Sequence, residues 1–70
     1  MYKPIVYILH TPYISLSFLN FYDAVKAAAV ACSYAACAPI MPDELIDDIG
    51  DCIASNGEWR SGYYSISVSV

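Results

Sequence analysis

The most distinctive chemical feature of this sequence is a set of five acidic residues spaced at i, i+1, i+4, i+5 and i+8. They are Asp43, Glu44, Asp47, Asp48 and Asp51. This spacing places all five on one side of a helix. No lysine or arginine occurs between Lys26 and Arg60 to neutralise them. We interpret this acidic side as either a solvated face that keeps an apolar chain soluble or a negative ridge that binds a basic groove. The five acids are the candidate partner-binding residues.

A second set of residues has the composition, but not the spacing, of a metal site. His10, Cys32, Cys37 and Cys52 have the count of a Cys3His zinc site. Structural zinc ligands are usually paired as C-x2–4-C or H-x3–5-H, often on turns, whereas Cys32 and Cys37 are expected on opposite sides of one helix. Cys32 and Cys37 would lie too far apart on one helix for a disulfide. A bridge from Cys52 to either of them stays open. The odd number of cysteines favours buried thiols in a reducing cytoplasm, and we expect no metal and no cofactor.

The sequence contains no motif for catalysis that we recognise. It has one histidine, three dispersed glycines, no G-x-S-x-G turn and no H-E-x-x-H pair. A chain of 70 residues also has little room to enclose a substrate pocket. We therefore expect a protein that is not an enzyme.

The charge balance limits the kinds of partner. The net charge is −4, and Lys3, Lys26 and Arg60 are the only basic residues. Direct binding to nucleic acid draws on many phosphate contacts from lysine and arginine, and anionic membranes attract the same residues. The longest charge-free run after Lys26, residues 27–42, is too short and too rich in alanine to span a membrane. No clean signal peptide is evident at the N-terminus. The expected partner is a protein with a basic surface, in the cytoplasm.

Three segments are predicted to be strands. Residues 4–9 form a short run of β-branched and aromatic residues, which is typical of a strand covered on both faces. Residues 13–18 and residues 63–70 alternate between apolar and polar side chains, which predicts half-buried strands. The residues between the first two runs, 10–12, predict a break or a hairpin loop.

Two helices are predicted between the second and third strands. Asn20 is a plausible N-cap, and the first helix extends to Ala38 before Pro39. Its core stripe is predicted to contain Phe21, Ala24, Val25, Ala28, Cys32 and Ala35. The second helix begins at Pro42 and ends at Asn56-Gly57. Its apolar face is predicted to contain Leu45, Ile46, Ile49, Cys52 and Ile53.

These elements predict a single α+β domain over residues 1–70. The order is β-β-α-α-β, with two helices packed on one face of a two- or three-stranded antiparallel sheet. In length, acidity and this layout the chain resembles the small phage and viral proteins that disable host machinery, anti-CRISPR proteins among them. That resemblance implies a non-enzymatic inhibitor that occupies a basic site through its acidic helix.

The alternative hypothesis comes from the apolar content of the chain, which is 59%. This is more apolar surface than one thin core needs, so part of it is expected to meet another chain. Val30 and Tyr34, on the outer side of the first helix, predict a self-associating structural protein that forms a homodimer there. Trp59-Arg60 and Tyr63-Tyr64 have the composition of binding hot spots, although Trp59 is better explained as a plug at one end of the core.

Overall fold

The computed structural model describes residues 1–9, 11–14, 16–35, 39, 41–62 and 64–69. Its elements follow the chain as β1 (Lys3–Ile8), β2 (Thr11–Ile14), α1 (Phe21–Ala35), α2 (Asp43–Asn56), β3 (Glu58–Ser61) and β4 (Tyr64–Ser69). The predicted α+β class, with two helices packed against an antiparallel sheet, is confirmed. The sheet has four strands rather than the two or three expected.

The strands are arranged in the order β2-β1-β4-β3, and every neighbouring pair is antiparallel. Ile66 in β4 lies between Val6 in β1 and Trp59 in β3. Val6 and Ile66 are buried, and Trp59 packs against the same core. Because side chains alternate along a strand, Ser65 and Ser67 lie on the opposite face. The serine side of the last strand therefore faces away from the helices, as its alternation predicts.

The second strand begins and ends earlier than predicted. Thr11 and Pro12, expected to break the chain, belong to β2, and Pro12 lies opposite Tyr7. A proline is tolerated there because β2 is an edge strand, where a missing N–H need not interrupt the sheet. Residues 16–17 are not in a strand. Phe18 instead makes a single bridge to Tyr2, with N–O distances of 2.6 and 2.7 Å.

The fourth strand, β3, was not predicted. Its four residues follow directly after the helix stop at Gly57, and charged residues flank its one large apolar side chain, Trp59. So short a run resembles a turn when only its sequence is considered. It becomes a strand because β4 offers a complete edge, with Trp59 opposite Ile66. Glu58 and Arg60 lie on the outer face and form a salt bridge of 3.1 Å.

The first helix starts where predicted. The Asn20 side-chain oxygen accepts hydrogen bonds from the backbone N–H of Tyr22 at 2.7 Å and of Asp23 at 3.4 Å. Four members of the predicted core stripe, Ala24, Val25, Ala28 and Cys32, are buried, whereas Phe21 is half-buried and Ala35 is exposed. Ala29 and Ser33 are buried in addition. The predicted end of this helix at Ala38 lies outside the described residues.

The second helix follows the predicted pattern except at its first residue and at the border of its apolar face. Pro42 is its N-cap rather than its first helical residue. Gly57 ends the helix in the left-handed conformation at φ 87°, as predicted. Ile46, Ile49 and Ile53 are buried. Leu45 is exposed and Cys52 is half-buried, because both lie at the border of the apolar face rather than at its centre. Together with Val6, Val25 and Ile66, the three isoleucines form the core between helices and sheet.

A candidate acidic groove between the helices

All five acids predicted to bind a partner are exposed along α2. Asp43 and Asp47 act electrostatically on Tyr22 of α1, and Asp47 and Asp51 border a groove between the two helices. The salt bridge between Arg60 and Glu58 is the only one among the residues that the structure describes. None of the five acids therefore has a cationic partner in that part of the chain. The predicted acidic side of the helix is exposed, and no described side chain forms a salt bridge with it.

A groove of about 520 Å³ runs between α1 and α2 beside these acids. We call it the inter-helix groove, and it is lined by Phe21, Tyr22, Val25, Ile46, Asp47, Gly50, Asp51 and Ala54. Its accessible floor consists of Phe21, Ala54 and the bare backbone of Gly50, above the buried side chains of Val25 and Ile46. Asp47 and Asp51 stand on the α2 side, and Tyr22 stands on the α1 side. The groove combines an apolar floor with a negative rim.

The floor is open at Gly50 because this position has no side chain. A Cβ atom built there would lie 3.7 Å from Phe21 Cε2 and 4.0 Å from Val25 Cγ2. These are ordinary van der Waals distances, so close packing of the two helices does not require a glycine here. Glycine in a helix interior costs about 0.5–1 kcal/mol relative to alanine. The groove is thus deepened at a position where alanine would fit and would favour the helix.

Tyr22 reports the electrostatic character of the rim. Its pKa is raised by partial desolvation of the ring and by the negative charges of Asp43, Asp47 and Asp23. Asp23 lies in the first turn of α1, where the helix dipole favours an acid. Lys26, one turn further along α1, is exposed and forms no salt bridge with any acid in the described residues. The negative field therefore extends from α2 onto the start of α1.

The sequence identified the acids but missed the groove that two of them border. Tyr22 and Asp23 belong to α1, and nothing in their spacing connects them with Asp47 and Asp51 twenty-four or more residues later. The only signal in the sequence was Gly50, a helix-disfavouring residue in the middle of a strong amphipathic pattern. Gly50 indicated that the helix is locally destabilised, but not which residues of α1 lie opposite it.

Neither of the two described cysteines, Cys32 and Cys52, lines the inter-helix groove. Cys32 is buried in the core, and burial raises the pKa of its thiol to about 11. Cys52 donates a hydrogen bond from its thiol to the carbonyl oxygen of Glu58 at 3.4 Å. Both are free thiols, so no disulfide joins Cys32 to Cys52. His10 and Cys37, the remaining members of the considered zinc set, lie outside the described residues. Within the described part of the chain, no three His, Cys, Asp or Glu side chains are placed to hold a metal ion.

Three of the four residues expected to form hot spots near the last strand are described by the structure. Trp59 packs against the core, as a plug would, and Arg60 points to the outer face. Tyr64 packs partly against the core, and Tyr63 lies outside the described residues. A second, smaller depression of about 390 Å³ is bordered by Tyr7, Leu9, Arg60 and Tyr64 among others. It contains one ion pair and lacks the concentration of like charge seen at the inter-helix groove.

Comparisons with protein-family models, with curated proteins and with solved structures found no match to this chain. Among the described residues, neither helix has the length and apolar character needed to cross a bilayer.

Proposed function

We propose that this chain is a non-enzymatic binding protein that occupies a basic site on another protein through the acidic side of α2. The observation that carries the proposal is the exposure of Asp43, Glu44, Asp47, Asp48 and Asp51 without a salt-bridge partner in the described residues. Like charges three and four residues apart destabilise a helix. A chain that keeps five of them together gains nothing from them in its own fold beyond the helix-dipole effect at Asp43 and Glu44.

A basic partner would relieve this repulsion and would be attracted from a distance. Uncompensated surface charge accelerates association with a complementary surface, and salt weakens the effect. The resemblance to small phage and viral inhibitors fits this mode, since such an inhibitor would fill a basic site that an anionic ligand otherwise occupies. Cytoplasmic binding to a protein, without a cofactor and without direct contact to nucleic acid, is part of the same proposal.

The test is capture of partners from a native host extract by the wild-type chain and by the triple variant Asp47→Asn, Asp48→Asn, Asp51→Asn. Asparagine keeps the size and polarity of each side chain while removing its charge. We expect a partner with a basic surface that the variant fails to retain. In stopped-flow measurements with that purified partner, the variant should associate more slowly and with a flatter dependence on salt.

Glu58→Gln is the control, because it removes an acid outside α2, one that pairs with Arg60, and should leave capture unchanged. If the triple variant binds the partner with the wild-type rate and salt response, the acidic side of α2 serves solubility only. The partner-binding role of the five acids would then be wrong.

The alternative, self-association through α1, is favoured by one observation. Tyr34 is 75% exposed on the outer side of α1, next to the half-buried Val30. A dimer formed there would bury apolar surface and should be nearly insensitive to salt. Sedimentation equilibrium of the wild type and of Tyr34→Ser separates the two hypotheses. A dimer that persists at high salt and dissociates in Tyr34→Ser supports the alternative, whereas a monomer at high concentration removes it.

A further inference from the structure

We propose that the inter-helix groove binds one arginine side chain of the basic partner. The inference rests on the proposed function, and it goes further by naming the chemical group recognised and the place that receives it. The acidic side of α2 would attract many cations equally well. The groove has in addition a defined shape, an apolar floor and a tyrosine at its edge. These features favour some cationic side chains over others.

The floor suits the stem of a long basic side chain. Phe21 and Ala54 supply accessible apolar surface above the buried Val25 and Ile46. The missing side chain of Gly50 leaves space at the centre. Arginine and lysine bury their methylene stems along apolar surface while their charged heads stay at the edge. A purely apolar occupant would bring its side chain beside two carboxylates without neutralising them. A purely ionic occupant would leave the floor uncovered.

The rim suits a guanidinium group. Asp47 and Asp51 are one helical turn apart and both border the groove, so their carboxylates can accept from one head group. Guanidinium presents its donors in a planar fork that matches carboxylates, and it is less strongly hydrated than an ammonium group. It also stacks on aromatic rings, and Tyr22 borders the opposite side. One arginine side chain can therefore pack its stem on the floor, donate hydrogen bonds to the carboxylates and stack on the Tyr22 ring.

The charges around the groove favour a cation from another chain. Asp43, Asp47 and Asp23 all act on Tyr22, and Lys26 is the only basic residue on either helix. Lys26 pairs with none of these acids in the described residues. Among the described residues the groove therefore keeps an unpaired negative charge, which is the complement of an incoming arginine.

The experiment uses the full chain labelled with nitrogen-15 and follows its amide resonances during titration. The probe is N-acetyl-arginine amide, and the comparator is N-acetyl-citrulline amide, which has the same shape without the charge. We expect saturable shifts at Val25, Gly50 and Asp51 with the arginine probe. Binding of citrulline should be weaker by about tenfold or more, as expected for loss of hydrogen bonds to charged groups.

Gly50→Ala is the decisive variant, because it separates the groove from the fold. The added methyl group meets Phe21 and Val25 at ordinary contact distances, and alanine favours the helix. The variant should melt at an equal or higher temperature while binding the arginine probe several-fold more weakly. Gly50→Met extends the obstruction with a flexible side chain and should abolish saturable binding. A Gly50→Ala variant that folds and binds like the wild type overturns the inference.

A pair of double variants distinguishes this inference from the broader proposal. Asp47→Asn with Asp51→Asn removes the two rim charges, and Glu44→Gln with Asp48→Asn removes two charges of the same helix that do not border the groove. The first pair should weaken the probe by about tenfold and the second pair by much less. Equal weakening by both pairs overturns the groove inference while leaving the acidic side as a binding surface. If neither pair alters probe binding or capture of the partner, both the inference and the proposed function are wrong.

Discussion

Removing charge from α2 should stabilise this protein, which is the opposite of what most substitutions do. In the triple variant Asp47→Asn, Asp48→Asn, Asp51→Asn, every like-charged pair at i,i+3 or i,i+4 on the helix disappears. Each pair costs about 0.2–0.5 kcal/mol in an isolated helix. Asp43 and Glu44 remain in the first turn, where the dipole favours them.

The magnitude follows from the exposure of these side chains. All three are exposed and unpaired in the described residues, so no hydrogen bond or salt bridge is lost to offset the gain. We expect the free energy of unfolding to rise by about 1 kcal/mol at low ionic strength. For a domain of this size, that corresponds to an increase in melting temperature of about 4–8 °C. At 1 M salt, where the Debye length falls to about 3 Å, the gain should nearly disappear.

The assay is urea denaturation at low and high salt, followed by the fluorescence of Trp59. This is the only tryptophan of the chain, and it packs against the core. Glu58→Gln is the control, because it removes an acid that faces Arg60 at 3.1 Å and should give no gain. A triple variant less stable than the wild type would refute the reasoning, since it would show that these acids make structural interactions. A gain that persists at 1 M salt would show that its origin is not electrostatic.

Three further predictions concern the fold. Leu9 has φ 50° in the turn between β1 and β2. Leu9→Gly should therefore be more stable than Leu9→Ala by about 0.5–1 kcal/mol in chemical denaturation. The reverse order would rule out a left-handed conformation at this residue. Ile66→Ala should lower the free energy of unfolding by about 3 kcal/mol because Ile66 is fully buried. Tyr34→Ala should change it by less than about 0.5 kcal/mol in the monomer. Similar losses in the two variants would contradict the described core. Burial raises the pKa of Cys32 from 9.0 to about 11, so the folded state keeps a proton that the unfolded state loses between these values. Stability should therefore fall more steeply with pH above about 9 in the wild type than in Cys32→Ala, and parallel pH profiles would place the Cys32 thiol in water.

The local elements of this protein follow from its sequence because their signals are contained within each segment. Asn20 caps α1 through its own side chain, and Gly57 ends α2 because glycine adopts the left-handed conformation readily. The isoleucines of α2 are spaced for one buried face, and the serines of β4 alternate with its core residues. These features together predicted an α+β fold with both helices on one face of the sheet.

Tertiary structure decided the features that depend on a distant partner. The strand β3 exists because β4 lies beside it, and Pro12 is accepted in β2 because that strand is at an edge. Dependence on a distant partner also explains why the acids could be predicted from the sequence and the groove could not. The spacing of Asp47 and Asp51 places them on one side of α2, but only the packing of α1 brings Phe21, Tyr22 and Val25 opposite them. A helix determines its own faces through its period, whereas what each face meets is determined by the rest of the chain.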